Sequence, residues 1–159
     1  MIAAPIGTHA LSCDGFRLLD GGDAAEVFES LGRFADGVTA ARKDIAEYPL
    51  VPTLQAQSHT ALGRCLAKLG QAEEAEQAFN TAIDFAQRAL LPFVEMIARR
   101  DLIVHVLDGD GRRESQLAAL GGAISSMVLP AAEYTSVLGA GLDAESAVAA
   151  FKAGGAGAK

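Results

Sequence analysis

His59-Thr60-Ala61-Leu62-Gly63-Arg64-Cys65-Leu66-Ala67-Lys68-Leu69-Gly70-Gln71-Ala72-Glu73-Glu74-Ala75-Glu76-Gln77-Ala78-Phe79 reads as the end of one helix, a turn and the start of the next. Before Gly70, the residues Leu54, Thr60, Ala61, Leu62, Cys65, Leu66 and Leu69 recur at steps of three and four, which places them on one stripe of a helix. After it, Ala75, Ala78, Phe79, Ala82, Ile83 and Ala86 do the same. Small residues alternating with one large ring let two helices approach closely, the phenyl group filling the space the alanines leave. Gly70 stands where a helix ends in a left-handed residue. The carboxylates of Glu73 and Glu74 follow in the first turn of the next helix, where the backbone dipole favours negative charge.

The same punctuation recurs outward from this stretch. Leu31-Gly32-Arg33-Phe34-Ala35-Asp36-Gly37 precedes it by about 38 residues, and Asp110-Gly111-Arg112-Arg113-Glu114-Ser115-Gln116 follows by about 41, each the length of one helix-turn-helix unit. Pro92 is placed to open a helix after one that runs to Leu90 or Leu91. Beyond Met127 the pattern changes: Pro130, Gly139 and Gly141 punctuate a segment with Tyr134, Val137 and Leu138. Asp143 then reads as the N-cap of a short helix carrying Ala147, Val148 and Phe151. The expectation is one domain over residues 1–152, with units at about 17–50, 54–91 and 92–128, a cap over 131–152 and a Gly/Ala-rich tail at 153–159.

The middle unit resembles the tetratricopeptide repeat. Where that family carries Trp-x2-Leu-Gly-x2-Tyr followed by Ala-x3-Phe, this chain has His59-x2-Leu62-Gly63-x2-Leu66 and then Ala75-x3-Phe79 with Ala82. It departs from the family at His59 in the Trp slot, at Leu66 in the Tyr slot and at Gln87 where Pro would stand. The first unit has Gly37 in the Ala slot and Pro49 in the Pro slot, with Gly21 and Gly22 interrupting its leading helix. The third keeps the spacing through Ile103, Leu107, Gln116 and Leu120 without the identities. The resemblance spans about residues 24–128 and is strongest over 56–91. It implies an all-α, short right-handed solenoid of antiparallel helix hairpins, about six to eight helices with a C-terminal capping helix. It also implies a concave groove lined by Gln57, Thr60, Arg64, Lys68, Asp101 and His105.

Composition narrows the classes of partner. Half the residues are hydrophobic but few are aromatic and none is Trp, so the apolar content is mostly Ala, Leu, Val and Ile, which suits close helix packing. A net charge of −7 supplies no cationic excess to displace counterions from a phosphate backbone, so nucleic acid is not an expected partner. No stretch approaches the roughly 18 apolar residues of a membrane span, although a place at the edge of a membrane complex stays open. Cys13 and Cys65 lie in unlike contexts, and Cys65 falls within a buried stripe, which favours a reducing compartment, cytoplasmic or organellar, over secretion.

Candidate chemistry is sparse. Asp108-Gly109-Asp110-Gly111 looks like the start of a calcium loop, but the twelfth position is Ala119 and Arg112 would occupy a ligand position, so it reads as a polar turn. His9, His59 and His105 share no spacing that converges metal ligands, and neither cysteine has a His or Cys neighbour that would activate it. No catalytic residue, metal or cofactor is assigned. Arg64 and Lys68, one helical turn apart, are positioned to hold an acidic group. The expected function is a noncatalytic protein-protein interaction module, an adaptor or an accessory subunit docked on a larger assembly. The alternative is a regulatory or small-ligand-sensing helical domain, or a fragment of a larger enzyme.

Overall fold

Prolines and left-handed residues set most of the helix boundaries in the computed structural model, which describes residues 23–139 and 141–156. The described residues form eight helices and no strand: α1 Asp23–Ser30, α2 Phe34–Glu47, α3 Pro52–Lys68, α4 Ala72–Arg88, α5 Pro92–His105, α6 Arg113–Ser125, α7 Ala131–Leu138 and α8 Ala144–Ala156. Residues 17–22, expected to begin the first unit, lie outside the described residues, as do His9, Cys13 and the last three residues of the tail. The rest of the expected tail, from Ala153 to Ala156, belongs to α8.

Pro52 and Pro92 occupy the first turn of α3 and α5, where a missing N–H leaves no bond unmade. α1 and α3 end alike. The Gly32 amide donates to the Glu29 carbonyl and Arg33 to Phe28, and likewise Gly70 to Ala67 and Gln71 to Leu66. Both glycines take positive φ, so each turn recovers carbonyls that the helix end would leave open. α4 closes with the same pair of bonds, Leu90 to Gln87 and Leu91 to Ala86, but there the left-handed residue is Leu90, with φ of 56°. After α5 the left-handed residue is Gly109 rather than Gly111, so the third turn is longer than the alignment on Gly111 implied.

Contacts between side chains give the directions of the helices. His59 stacks on Phe85, whereas Gly63, one turn further along α3, faces Phe79, which precedes Phe85 on α4; the two helices are antiparallel. Gln55 donates to the Ile45 and Tyr48 carbonyls while Cys65 meets Gly37, so α2 and α3 are antiparallel too. α4 and α5 are related in the same way by Gln87–Glu95 and Phe79–His105. The odd helices also touch one another, α1 against α3 and α3 against α5. They run parallel as an inner layer, with α2 and α4 outside.

Gly63 is required by this packing, because a Cβ there would sit 2.7 Å from the fully buried Phe79 ring. The alternation changes at α6, which packs chiefly on α8. Gly121 is what allows it, since a Cβ at that position would overlap the Ala147 carbonyl. Two hydrophobic cores result. One gathers residues of α1 to α5 around Phe79, Leu66 and Leu102. The other joins Met96 and Ile103 of α5 to Leu120, Ile124, Tyr134, Leu138 and Ala147. α5 is shared between them. Asp143 caps α8 as expected, accepting from the Glu145 and Ser146 amides and the Ser146 hydroxyl. These bonds to the ionised form hold its carboxyl below the usual range, the Ser146 hydroxyl contributing most. Among the described residues no helix is long and apolar enough to cross a membrane.

Candidate functional site: the inner face of the odd helices

Arg64 stands at the centre of the inner layer. Its guanidinium donates to Glu26 at 2.7 Å and Glu29 at 2.8 Å on α1, and to Asp101 at 3.0 Å on α5. Asp101 is only 2% exposed and is also held by Arg100, whose own guanidinium reaches the Val137 carbonyl of α7. Burial alone would make Arg64 easier to deprotonate. The charges of Asp101 and Glu29 and the hydrogen bonds that Arg64 donates to Glu26 and Asp101 outweigh it, so the cation is held more firmly than in water. Arginine suits this position because its planar fork satisfies three carboxylates at once.

Two concavities open on either side of Arg64. The larger, about 620 Å³, has an apolar floor of Phe34, Val104 and Leu138 and a polar wall that includes Lys68, Arg100, Asp101 and His105. The smaller, about 130 Å³, lies between Gln57 and Thr60 of α3 and Phe93, Val94 and Ile97 of α5, with Glu26 at its edge. The six residues expected to face one groove are therefore all on this inner face: Arg64, Lys68, Asp101 and His105 on the larger concavity, Gln57, Thr60 and again Arg64 on the smaller. Their availability differs. Thr60 is buried and donates to the Ala56 carbonyl, and Arg64 and Asp101 are bonded to each other. The paired cations Arg64 and Lys68 expected to hold an external acid thus reduce to Lys68, exposed at the rim, because Arg64 is occupied by carboxylates of its own chain.

His105 is half-buried and lies against Phe79, with ring centres 6.4 Å apart. Burial lowers its proton affinity against the opposing pull of Asp101. Glu26, Glu29 and Arg100 were missed in the sequence. The repeat spacing carried the signal for one of them, since the same offset that aligns Gly32 with Gly70 aligns Glu26 with Arg64. Away from this face, His59 packs on Phe85 and its Nδ1 atom is buried without a hydrogen-bond partner, and desolvation by burial lowers its proton affinity. Cys65 is a free thiol inside the core, pushed up by burial and by the charge of Glu29. Asp110 forms a turn with Arg112, whose side-chain and backbone hydrogen bonds bring its carboxyl down to about 2. Among the described residues no three His, Cys, Asp or Glu side chains converge as a metal-ligand set.

Compared with protein-family models, with curated proteins and with solved structures, the chain matches none.

Proposed function

We propose that this chain is a noncatalytic protein-binding module, an adaptor or an accessory subunit of a larger assembly, built as a tetratricopeptide-like right-handed stack of helix hairpins with α7 and α8 as its cap. The observation that carries the reading is the inner face itself: parallel odd helices present two adjoining concavities with apolar floors and polar rims. A partner segment laid along this face would bury aliphatic side chains on Phe34, Val104 and Leu138 or on Phe93 and Ile97. Lys68, Glu26 and Gln57 would then set its polar register. Arg64 and Asp101 fix the spacing of the three helices and contribute shape rather than free charge. The buried thiol of Cys65 suits a reducing compartment.

The reading is tested by affinity capture from native extract with Lys68→Glu and Gln57→Ala variants alongside. Both sites are on the rim, so folding by circular dichroism should be unchanged. A stoichiometric partner lost in these variants supports the inner face as the binding surface, and a partner retained by both moves the interface elsewhere. The second reading, a small-ligand-sensing domain, draws on the larger concavity, whose size lies within the roughly 300–1,000 Å³ range of small-molecule sites. It gains weight if capture yields no partner while a library of small anions raises the melting temperature in a Lys68-dependent way.

A further inference from the structure

The smaller concavity of the inner face has room for one ring. Its volume of about 130 Å³ is close to the roughly 150 Å³ of an apolar cavity that takes up benzene, so it accepts a single side chain rather than a length of backbone. One wall is apolar, made by Phe93, Val94 and Ile97 of α5, and Phe93 is left 47% exposed. The polar lining is largely committed: the Thr60 hydroxyl donates to the Ala56 carbonyl, and the Arg64 guanidinium to three carboxylates. At the edge stands Glu26, bonded to Arg64 but with its side chain 57% exposed. In the ionic centre Glu26, Glu29 and Asp101 outnumber Arg64 and Arg100 by one charge. The site therefore suits an aromatic ring with a cation beside it.

The sequence supplies that pair close by. Among residues 1–22, which lie outside the described residues, Phe16 is the only Phe, Tyr or Trp and Arg17 the only Lys or Arg. Phe16 precedes Asp23, where α1 begins, by seven positions, and Glu26 is in the first turn of that helix. Seven residues reach at most about 23–25 Å, whereas the α5 wall is two helix spacings from α1, roughly 16–20 Å. Because α1 and α5 run parallel, the chain enters α1 at the end of the inner face where α5 starts, and Phe93 and Val94 belong to that start. Gly21 and Gly22 lack the Cβ that would restrict a turn back over the face.

We infer that Phe16 occupies the smaller concavity of its own chain with Arg17 facing Glu26, so that residues 16–22 cover one end of the inner face until a partner displaces them. The tether settles which occupant comes first. A group linked to its site by a few residues is present at a local concentration on the order of millimolar, and burial of a phenyl side chain favours the docked form by about tenfold or more. The ring also meets Phe93, which adds an aromatic pair. Asp14 and Asp20, two and four positions from the ring, are not part of the anchor and lose nothing by staying in water. That the segment restrains a partner rests on the inner face being the binding surface; the docking itself does not.

Methyl-resolved NMR of the full chain, with no partner added, tests it. The expected result is a set of nuclear Overhauser contacts between the Phe16 ring and the methyls of Val94 and Ile97, unchanged on about tenfold dilution because the occupant is tethered. Phe16→Ser abolishes them. Arg17→Glu lowers the docked population about two- to fivefold at low salt, an effect that added salt reduces, and it keeps the test open should Phe16→Ser impair folding. A Phe16 ring with no contacts overturns the proposal, as does a cavity filled by Leu18 or Leu19 in its place. Ring contacts with Ile45 or Leu54 overturn it and put the segment beside α2 and α3, and contacts that fade on dilution assign the ring to a second copy. If the ring is not docked, the inner face is open and the partner-binding reading is untouched; a docked ring with no partner captured leaves this inference standing and that reading without support.

Discussion

Leu90 shows how one residue registers the conflict between turn and surface. An L-residue in the left-handed region costs about 1–2 kcal/mol through the clash of its Cβ with the backbone, while glycine there loses about 0.5–1 kcal/mol in unfolded-state entropy. The exposed leucine recovers little by burial. Leu90→Gly is therefore expected to stabilise the chain by a net of about 0.5–1 kcal/mol, measured by urea unfolding. His59 and His105 act through protons instead. Burial lowers both from the ordinary value of 6.5, so the unfolded chain binds more protons than the folded one once pH drops to that region. Their contribution is intact above about 6.5, is lost as pH falls toward the folded-state values, and is constant below them. Urea unfolding between neutral pH and pH 5 should show stability falling with acid more steeply in the wild type than in a His59→Phe, His105→Phe variant. Equal slopes would show that carboxylates alone set the acid limit.

At the scale of elements, the ionic centre joins four helices that are remote in sequence. Asp101 is nearly buried with two guanidiniums, so removing one leaves its charge poorly compensated. Arg64→Met is expected to lower stability by about 3 kcal/mol, whereas Lys68→Glu, one turn away and exposed, should change it by less than about 0.5 kcal/mol. Thermal unfolding of the two variants beside wild type makes the comparison, and equal small effects would mean that the guanidinium holds the helices no better than packing does. The helices of the middle unit were legible because their signals are local: a three-four stripe, Gly70 in a left-handed turn, Pro92 opening the next helix. All-α architecture followed from the same signals. Arg64 read as a rim cation because nothing local to it announces Glu29 or Asp101, which arrive from residues nearly forty positions away. Leu90 was invisible as a left-handed residue because the turn chemistry that marks such positions is glycine, and Gly111 drew the third turn two residues too late for the same reason. α7 was read only as a punctuated segment, being too short for its periodicity to stand out behind Pro130.

At the scale of the whole molecule the decisive fact is that α5 serves two cores. Ala98 and Leu102 face the core of the first five helices, while Met96 and Ile103 face the one completed by α6, α7 and α8. In a stack of neighbouring interfaces stability is close to a sum of local terms, and a weak junction lets one end open while the other stays folded. The junction of α6 with α8 depends on Gly121 touching the Ala147 backbone and on the Phe151 ring lying over Gly122. A side chain at position 121 cannot be accommodated by rotating a neighbour, because what it meets is main chain. Gly121→Leu is therefore expected to detach α8 from α6 without unfolding α3 and α4, whose packing around Phe79 it does not touch. Native-state hydrogen exchange read by mass spectrometry would show amides of residues 131–156 losing nearly all protection, those of 113–125 losing part, and those of 56–88 keeping theirs. Uniform loss across the eight described helices would instead mean that the shared helix couples both cores into a single cooperative unit, in which case the second core is a condition of folding for the first.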